Sequence, residues 1–474
     1  MTAISRERGL DNKRMAWTED TAEGYAPIVG LLAWLFTWAV TVLMAAVVLP
    51  ALSSMHGWAV FSDFSSMLLK SSDAAYQGLG HIYTGRGEIL VALPGFEELM
   101  TGIWRLLETF HVFASVTFAH VDGHTGMPGF VGIGSQIVIV VAYGLGTSAI
   151  VPLDGLARDL GLGQCARLAF NLFACLALAW TVALWGHPDD AMAVGLMTWA
   201  LREALRGRSR RAAWLLGAGL AVQPLVVLGA FVVAAYARPR GLKGWWSFAW
   251  RVSAVPVLSL VVPLAVEPSL TIRHVIGQPV EWGSALLDNH PTPWSSLTLH
   301  QQVLHLAYGR VAHIAYGSES RLLAVALAAC IAIWLLHRHE QHPGELAPWL
   351  LAIAFSGRIA FESVVIPYYL FAPLVFALLG IAQWRPRWLA LGVPLAAAVA
   401  YGSYERSLGE WGYFAAMVVG LALLCALSAP RMERGVTTHR DFGLPELQAS
   451  EGPEDMTGVS ALPSGTETVC SAHA

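Results

Sequence analysis

Charged residues are scarce in this chain, since Asp, Glu, Lys and Arg make up only 13% of its 474 residues, whereas 55% are hydrophobic. A soluble enzyme of this length carries far more charge on its surface, so the composition excludes that class. Cysteine is also rare, with five residues. All five fall within the predicted membrane spans or on their inner side, so no disulfide framework is predicted for the outer loops.

Long apolar runs account for the hydrophobic excess. A membrane-spanning helix needs about 20 apolar residues, and several runs approach that length. They begin at Pro27, Phe130, Ala166, Ala191, Trp246, Leu322, Ala347, Tyr369, Trp388 and Phe414. Residues 89–118 and 212–237 are less regular, and Gln223-Pro224 in the second stretch predicts a hairpin of two short helices. The sequence therefore predicts an all-α, polytopic membrane protein with about 10–12 transmembrane or re-entrant helices and further helices in its outer loops.

Basic residues predict the orientation, because Lys and Arg remain on the cytoplasmic side of short loops. Threading the apolar runs from a basic N-terminus leaves most of the 29 Lys and Arg residues on the cytoplasmic face. The first run is expected to be an anchor and not a cleaved signal peptide. The predicted organisation is a cytoplasmic segment (1–26), a multi-span domain (27–430) and a disordered cytoplasmic tail (431–474).

An acidic tetrad, His187-Pro188-Asp189-Asp190, stands between two apolar runs on the predicted extracytoplasmic face. Ionisable residues near a bilayer are costly, so they indicate a functional site. A structural interpretation stays open, because Pro in the first helical turn followed by acidic residues is a normal helix start. No metal is assigned, since three such neighbouring side chains are not expected to face one ion. No other cofactor is assigned either.

Three polar outer segments, 53–129, 268–320 and 358–367, supply the other candidates. The candidate site residues in these segments are Asp63, Arg273, His290, Arg310, Arg358 and Glu362. Tyr368, which directly follows the third segment, is a further candidate. Helical patterns are predicted over 64–76 and 298–316. Arg358 and Glu362 stand four residues apart, so on a helix they share one face, either as an ordinary ion pair or with the arginine binding phosphate.

The order of these features resembles the C-type membrane glycosyltransferases, especially bacterial members that use polyprenyl-phosphate sugars to build mannosylated or arabinosylated envelope glycans. The resemblance covers most of 27–430. It rests on Phe61-Ser62-Asp63-Phe64, His81-Ile82-Tyr83, the acidic tetrad, the basic turn 202–211 and Pro367-Tyr368-Tyr369. Many relatives have an adjacent acidic pair where this chain has Asp63 followed next by Asp73, and a Lys where it has Gln223.

The resemblance implies transfer of mannose or arabinofuranose from a polyprenyl-phosphate donor to a lipid-linked or cell-envelope glycan on the extracytoplasmic face. Asp63 would be the base that takes the acceptor proton, although an N-cap of the following helix is the structural alternative. The bilayer is the other expected partner, and nucleic acid is not expected. The residues expected to bind substrate are His187, Asp189, Asp190, Arg273, His290, Arg310, Arg358, Glu362 and Tyr368. A transporter or flippase of a lipid-linked sugar, and a non-catalytic scaffold of the same fold, remain alternatives.

Overall fold

The structure, a computed structural model, is mainly helical. It describes residues 28–47, 59–83, 93–112, 115–118, 128–131, 133–277, 292–294, 300–305, 311–316, 320–337, 344–362, 365–403 and 408–430. Within these described residues, five helices are long and apolar enough to cross a membrane: Ile28–Val47, Ile133–Asp159, Gln164–Leu184, Gly241–Val266 and Pro367–Trp384. The protein is therefore a helical membrane protein, as its composition predicts. The predicted segments 1–26 and 431–474 lie outside the described residues.

The described helices and strands have the following bounds, each group given in chain order. The helices are α1 (Ile28–Val47), α2 (Ala59–Gln77), α3 (Gly95–Thr109), α4 (Ile133–Thr147), α5 (Ile150–Asp159), α6 (Gln164–Ala179), α7 (Pro188–Leu205), α8 (Ser209–Val222), α9 (Val227–Ala237), α10 (Gly241–Val266), α11 (Pro268–Ile272), α12 (Arg321–His337), α13 (Ala347–Phe361), α14 (Phe371–Trp384), α15 (Leu389–Gly402) and α16 (Gly409–Ser428). The strands are β1 (Ser115–Phe118), β2 (Pro128–Val131), β3 (His300–His305) and β4 (Val311–Tyr316). Each predicted apolar run coincides with a helix that begins within a few residues of the predicted start.

The helix predicted over 298–316 is wrong. β3 pairs antiparallel with β4 in this region, with His300 opposite Tyr316 and His305 opposite Val311. β-branched and aromatic residues favour strands, and a Gly between two such runs favours a hairpin connection. Val303, Val311, Ile314 and Tyr316 flank Gly309 in the sequence, so these local preferences agree with the hairpin and not with the helical spacing.

Burial separates the centre of the helical domain from its lipid-facing edge. In the segment that contains α14, 83% of the most apolar window is buried inside the protein, compared with 11% for α10 and 17% for α1. α10 instead exposes large apolar side chains such as Trp246, Leu258 and Val261. Apolar surface that no protein covers is stable only against lipid, so α14 lies at the centre of the helical domain while α1 and α10 face outward.

Small residues fix the position of α7 against its neighbours. A Cβ built on Gly146 of α4 would lie 2.8 Å from Pro188 Cα, and one on Gly195 would lie 2.7 Å from Ala149 Cα. Only glycine allows helix backbones to approach this closely. The first turn of α7, which carries both aspartates of the tetrad, is therefore held directly against α4.

The helix pair α8 and α9 forms the predicted hairpin. Gln223 ends α8 and donates a hydrogen bond from Nε2 to Asp189 Oδ2 at 3.0 Å. Six residues later, Gly229 lies so close to Met197 Sδ that a Cβ has no room. α9 therefore returns along α7, from the level of Asp189 to that of Met197. The tip of the hairpin, at Gln223, lies beside the acidic tetrad.

Candidate functional site

An irregular segment precedes α7 and shapes the site. α6 ends in a π-helical turn, Trp180–Leu184, and Gly186 has a positive φ of 65°. The His187 N–H then donates to the Thr181 carbonyl at 3.0 Å. Departures of this kind from regular helix are frequent at functional sites. Pro188 occupies the first position of α7, so the helix start predicted from the tetrad is confirmed.

The side chains of the tetrad converge instead of pointing out to solvent. His187 Nδ1 lies 3.6 Å from Asp189 Oδ1 and 3.5 Å from Asp190 Oδ2, and all three residues are buried. Their potential ligand atoms all lie within 4.8 Å of one another. These three side chains therefore do face one point, although neighbours in sequence at a helix start were not expected to do so. His187 precedes the helix, with a φ of −118° and a ψ of 64°, so its ring does not follow the helical spiral.

Two buried carboxylate oxygens in this group make no hydrogen bond to any described residue. Gln223 binds Asp189 Oδ2, but Asp189 Oδ1 and Asp190 Oδ2 have no hydrogen-bond partner within the described part of the chain. An unsatisfied polar atom costs about 1–3 kcal/mol when buried, and more when it is charged. Such atoms indicate a place where a ligand completes the structure.

Aromatic rings from the turn before α14 close one side of the cluster. The turn spans Pro367–Leu370. Tyr368 stacks on the His187 ring, with centroids 3.5 Å apart and planes 20° from parallel. Tyr369 packs edge-on against Tyr368 at 4.6 Å. The structure therefore places Tyr368 beside the tetrad, although Tyr368 comes 181 positions after His187 in the chain.

Arg358, in the last turn of α13, contributes a cation to the cluster. Its Cζ lies 3.6 Å from the centroid of the Tyr369 ring, a distance at which a guanidinium and an aromatic face attract each other. Its charge and that of Asp190 attract each other. Arg358 Nη1 is nevertheless buried and has no hydrogen-bond partner among the described residues. The guanidinium is thus held in place while one of its nitrogens still has a donor to offer.

Glu362 has a stronger partner than the one predicted. The expected contact to Arg358 is present but long, at 3.5 Å from Nε to Oε2, whereas Arg321 Nε lies 2.7 Å from Oε1. The Glu362 carbonyl also accepts a hydrogen bond from the Thr292 hydroxyl at 2.7 Å. Glu362 follows the last residue of α13 and is fully buried, so its role is to tie α12 to the end of α13. The sequence signal for Arg321 is a single charge at the start of an apolar run.

Glu97 is a member of the cluster that sequence analysis missed. The first residue of α3, Gly95, packs so closely on the hairpin tip that a Cβ there would lie 2.6 Å from the Ala221 carbonyl oxygen. This contact buries Glu97, which is only 2% exposed, and its Oε2 has no hydrogen-bond partner within the described segments. α3 is not among the candidate spans. Burial first, and then the nearby charge of Asp189, raise the pKa of Glu97 to about 8.

The structure describes the remaining predicted site residues only in part. Asp63 lies inside α2, which begins at Ala59, so the alternative that it caps a helix starting at residue 64 is wrong. Its side chain lies outside what the structure describes, as do His290 and Arg310. Arg273 is exposed at the start of a π-helical turn, unlike the buried members of the cluster.

A scan against protein-family models gives no match to this chain, and a search of the curated proteins gives none either. The resemblance to C-type glycosyltransferases therefore rests on the motifs named above.

Proposed function

We propose that the protein is a polytopic glycosyltransferase of the cytoplasmic membrane, with about 10–12 transmembrane or re-entrant helices. It transfers mannose or arabinofuranose from a polyprenyl-phosphate donor to a lipid-linked or cell-envelope glycan on the extracytoplasmic face. The observation that carries this proposal is the buried Nη1 of Arg358, which has no hydrogen-bond partner among the described residues. Asp189 Oδ1 and Asp190 Oδ2 lie in the same cluster and also make no hydrogen bond to a described residue.

Arg358 suits the phosphate of such a donor. A guanidinium presents its N–H groups in a planar fork that matches phosphate oxygens. Tyr369 fixes the plane of this fork, and because Glu362 is bound more closely by Arg321, it does not hold Arg358 tightly. As the sugar leaves, negative charge grows on the phosphate, and a cation already in position stabilises that charge without rearrangement.

The two aspartates suit the sugar. Sugar hydroxyls are hydrogen-bond donors, and an ionised carboxylate is an acceptor only. Asp189 Oδ1 and Asp190 Oδ2 are buried acceptors with no hydrogen bond to any described residue, and Gln223 holds Asp189 in place through its other oxygen. Each of these oxygens has two lone pairs, so it can accept a hydrogen bond from a sugar hydroxyl and keep one lone pair for a second partner.

The hypothesised reaction is a single inverting displacement. The acceptor hydroxyl oxygen forms a bond to the anomeric carbon while the bond from that carbon to the phosphate oxygen breaks. The electron pair of the broken bond leaves with the polyprenyl phosphate, and the hydroxyl proton passes to a carboxylate, for which Asp63 remains the predicted base. No general acid is needed, because the phosphate is a good leaving group.

A transporter of a lipid-linked sugar is the second candidate, and one observation favours it. Transporters bind their substrates where helices are interrupted, and the interruption between α8 and α9 falls at Gln223, which contacts Asp189. In a transporter these polar groups would hold the sugar while it crosses, and the glycosidic bond to the phosphate would stay intact.

The test uses purified protein in lipid nanodiscs with polyprenyl-phosphate mannose or arabinose and a membrane glycolipid extract, followed by mass spectrometry. We expect sugar transfer by the native chain, none by Asp63→Asn, and a rise in the donor KM of about tenfold for Arg358→Lys, which loses the fork. Arg206→Lys is the matched control, because Arg206 lies just beyond the other end of α7 and should leave the KM unchanged. Absence of transfer, together with movement of labelled donor across proteoliposomes, would favour the transporter.

A further inference from the structure

We propose that His187, Asp189 and Asp190 bind one divalent cation, through His187 Nδ1, Asp189 Oδ1 and Asp190 Oδ2. This inference does not depend on the proposed function, because it concerns only the binding of the ion.

The distances suit shared coordination. Nδ1 lies 3.6 Å and 3.5 Å from the two carboxylate oxygens, and the three atoms lie within 4.8 Å of one another. Adjacent ligands placed about 2.1 Å from a metal ion are roughly 3.0 Å apart in octahedral coordination and roughly 3.4 Å apart in tetrahedral coordination. Small rotations of two aspartate side chains close the difference.

Burial gives the second, independent reason. The side chains of Asp189 and Asp190 are only 9% and 5% exposed, and the two oxygens assigned to the ion are those that make no hydrogen bond to described residues. Buried carboxylates are normally paired with cations or bound to metal. Arg358 attracts Asp190 but also faces Glu362, so it compensates the two aspartates only in part.

Neighbouring groups orient the ligands in the way that metal sites require. Gln223 donates to Asp189 Oδ2 at 3.0 Å, which leaves Oδ1 for the ion. Tyr368 stacks on the imidazole and fixes its plane. Groups that hold the ligands in this manner commonly change metal affinity 10–100-fold when they are removed.

The ligand set indicates the kind of ion. One imidazole nitrogen with two carboxylate oxygens suits Zn²⁺ or Mn²⁺, whereas Mg²⁺ and Ca²⁺ prefer oxygen alone. Three protein ligands leave at least one coordination position open, as in catalytic rather than structural zinc sites. The site therefore has room for an oxygen atom from a bound molecule.

The experiment measures ion binding without any sugar donor. Full-length protein, stripped with a chelator and exchanged into metal-free detergent buffer, is titrated with Mn²⁺ by electron paramagnetic resonance and with Zn²⁺ against a chromophoric chelator. We expect one ion per chain, with affinity at least about tenfold lower in each of His187→Ala, Asp189→Asn and Asp190→Asn. Glu203→Gln is the matched control, because Glu203 is a buried acid at the other end of the same helix and should leave the affinity unchanged.

A second measurement needs no variant and so does not depend on the folding of mutants. Pulsed paramagnetic resonance of the Mn²⁺-loaded native protein should show coupling to one imidazole nitrogen. Absence of stoichiometric binding, binding without nitrogen coupling, or equal affinity in all three folded variants would overturn the proposal. A chain that binds the ion but transfers no sugar would retain this site and lose only the proposed function.

Discussion

The His187 imidazole stacks on the Tyr368 phenol ring, with centroids 3.5 Å apart and planes 20° from parallel. Tyr368 belongs to the turn that begins α14, and α14 is the most buried of the candidate spans. The stacking therefore holds the imidazole against the most buried of these spans. Trp185 and Tyr369 pack on the same tyrosine ring, so the aromatic contacts extend over four residues.

Replacing the ring should separate its packing from its hydroxyl. Aromatic pairs contribute about 0.5–1.5 kcal/mol beyond their buried area. The loss of this contribution corresponds to a decrease in donor affinity of about 2–10-fold. We expect Tyr368→Leu to show this decrease and a lower thermal unfolding midpoint. Tyr368→Phe retains the stacking and should stay within about twofold of native. Donor affinity and thermal unfolding in nanodiscs measure both effects, and equal losses in the two variants would show that the hydroxyl, not the ring, is responsible.

The close approach of α4 to α7 predicts a second result. Gly146→Ala places a Cβ 2.8 Å from Pro188 Cα, so the helices must separate at the turn that carries Asp189. Overpacking of this kind costs about 1–3 kcal/mol, and the movement should also weaken ligand binding. Gly102→Ala, on α3, is the control, since a Cβ there meets nothing within 4 Å and alanine in a helix is favoured by up to about 1 kcal/mol. We expect the thermal unfolding midpoint to fall in Gly146→Ala and to rise slightly in Gly102→Ala, relative to the native protein.

Local patterns in the sequence located the apolar helices. Hydropathy, helix-breaking residues and the Pro after His187 are read from consecutive positions, so α7 and the hairpin at Gln223 could be located without a structure. The strands β3 and β4 were missed because a helical spacing of polar side chains was given more weight than β-branched composition. The predicted starts of the apolar runs lie within about five residues of the starts of the helices, which is near the usual accuracy of such patterns.

Contacts across the helical domain could not be predicted in the same way. Arg321 and Glu362 are 41 positions apart, and Glu97 lies near Asp189 where Gly95 packs on the tip of the α8–α9 hairpin. Such pairings depend on which helix faces which, and a single sequence does not contain that information. The tetrad was recognised because charge beside apolar runs is a local signal, whereas its partners were not.

The ion pair between α12 and the end of α13 predicts a third result. Arg321→Met leaves the fully buried Glu362 with the longer contact to Arg358 alone. Removing one partner of a buried pair typically costs about 3–5 kcal/mol, and Arg358 should move toward Glu362 and bind phosphate less well. We expect a lower unfolding midpoint and a higher donor KM. In the control, Arg206→Met, Asp159 keeps its contact to Arg202, so the change should be under about 1 kcal/mol.

The buried carboxyl of Glu97 predicts a dependence of stability on pH. Burial and the neighbouring charge of Asp189 raise the pKa of Glu97 to about 8. Glu98 contributes slightly to this rise in pKa, and the positive charge of Lys70 opposes it. The folded state therefore holds a proton that the unfolded state releases near its ordinary pKa of 4.5. The stability that this proton contributes is complete below about pH 4.5, falls as the pH rises toward 8, and is absent above that value.

Thermal unfolding in nanodiscs between pH 5 and 9 measures this dependence. The native midpoint should fall across that range, and Glu97→Gln, which keeps the shape but cannot ionise, should fall less steeply. Its advantage over the native chain should be largest above pH 8, where the native Glu97 carries a buried negative charge beside Asp189. Parallel curves for the two proteins would mean that Glu97 is solvated in the membrane-embedded protein and does not hold its proton.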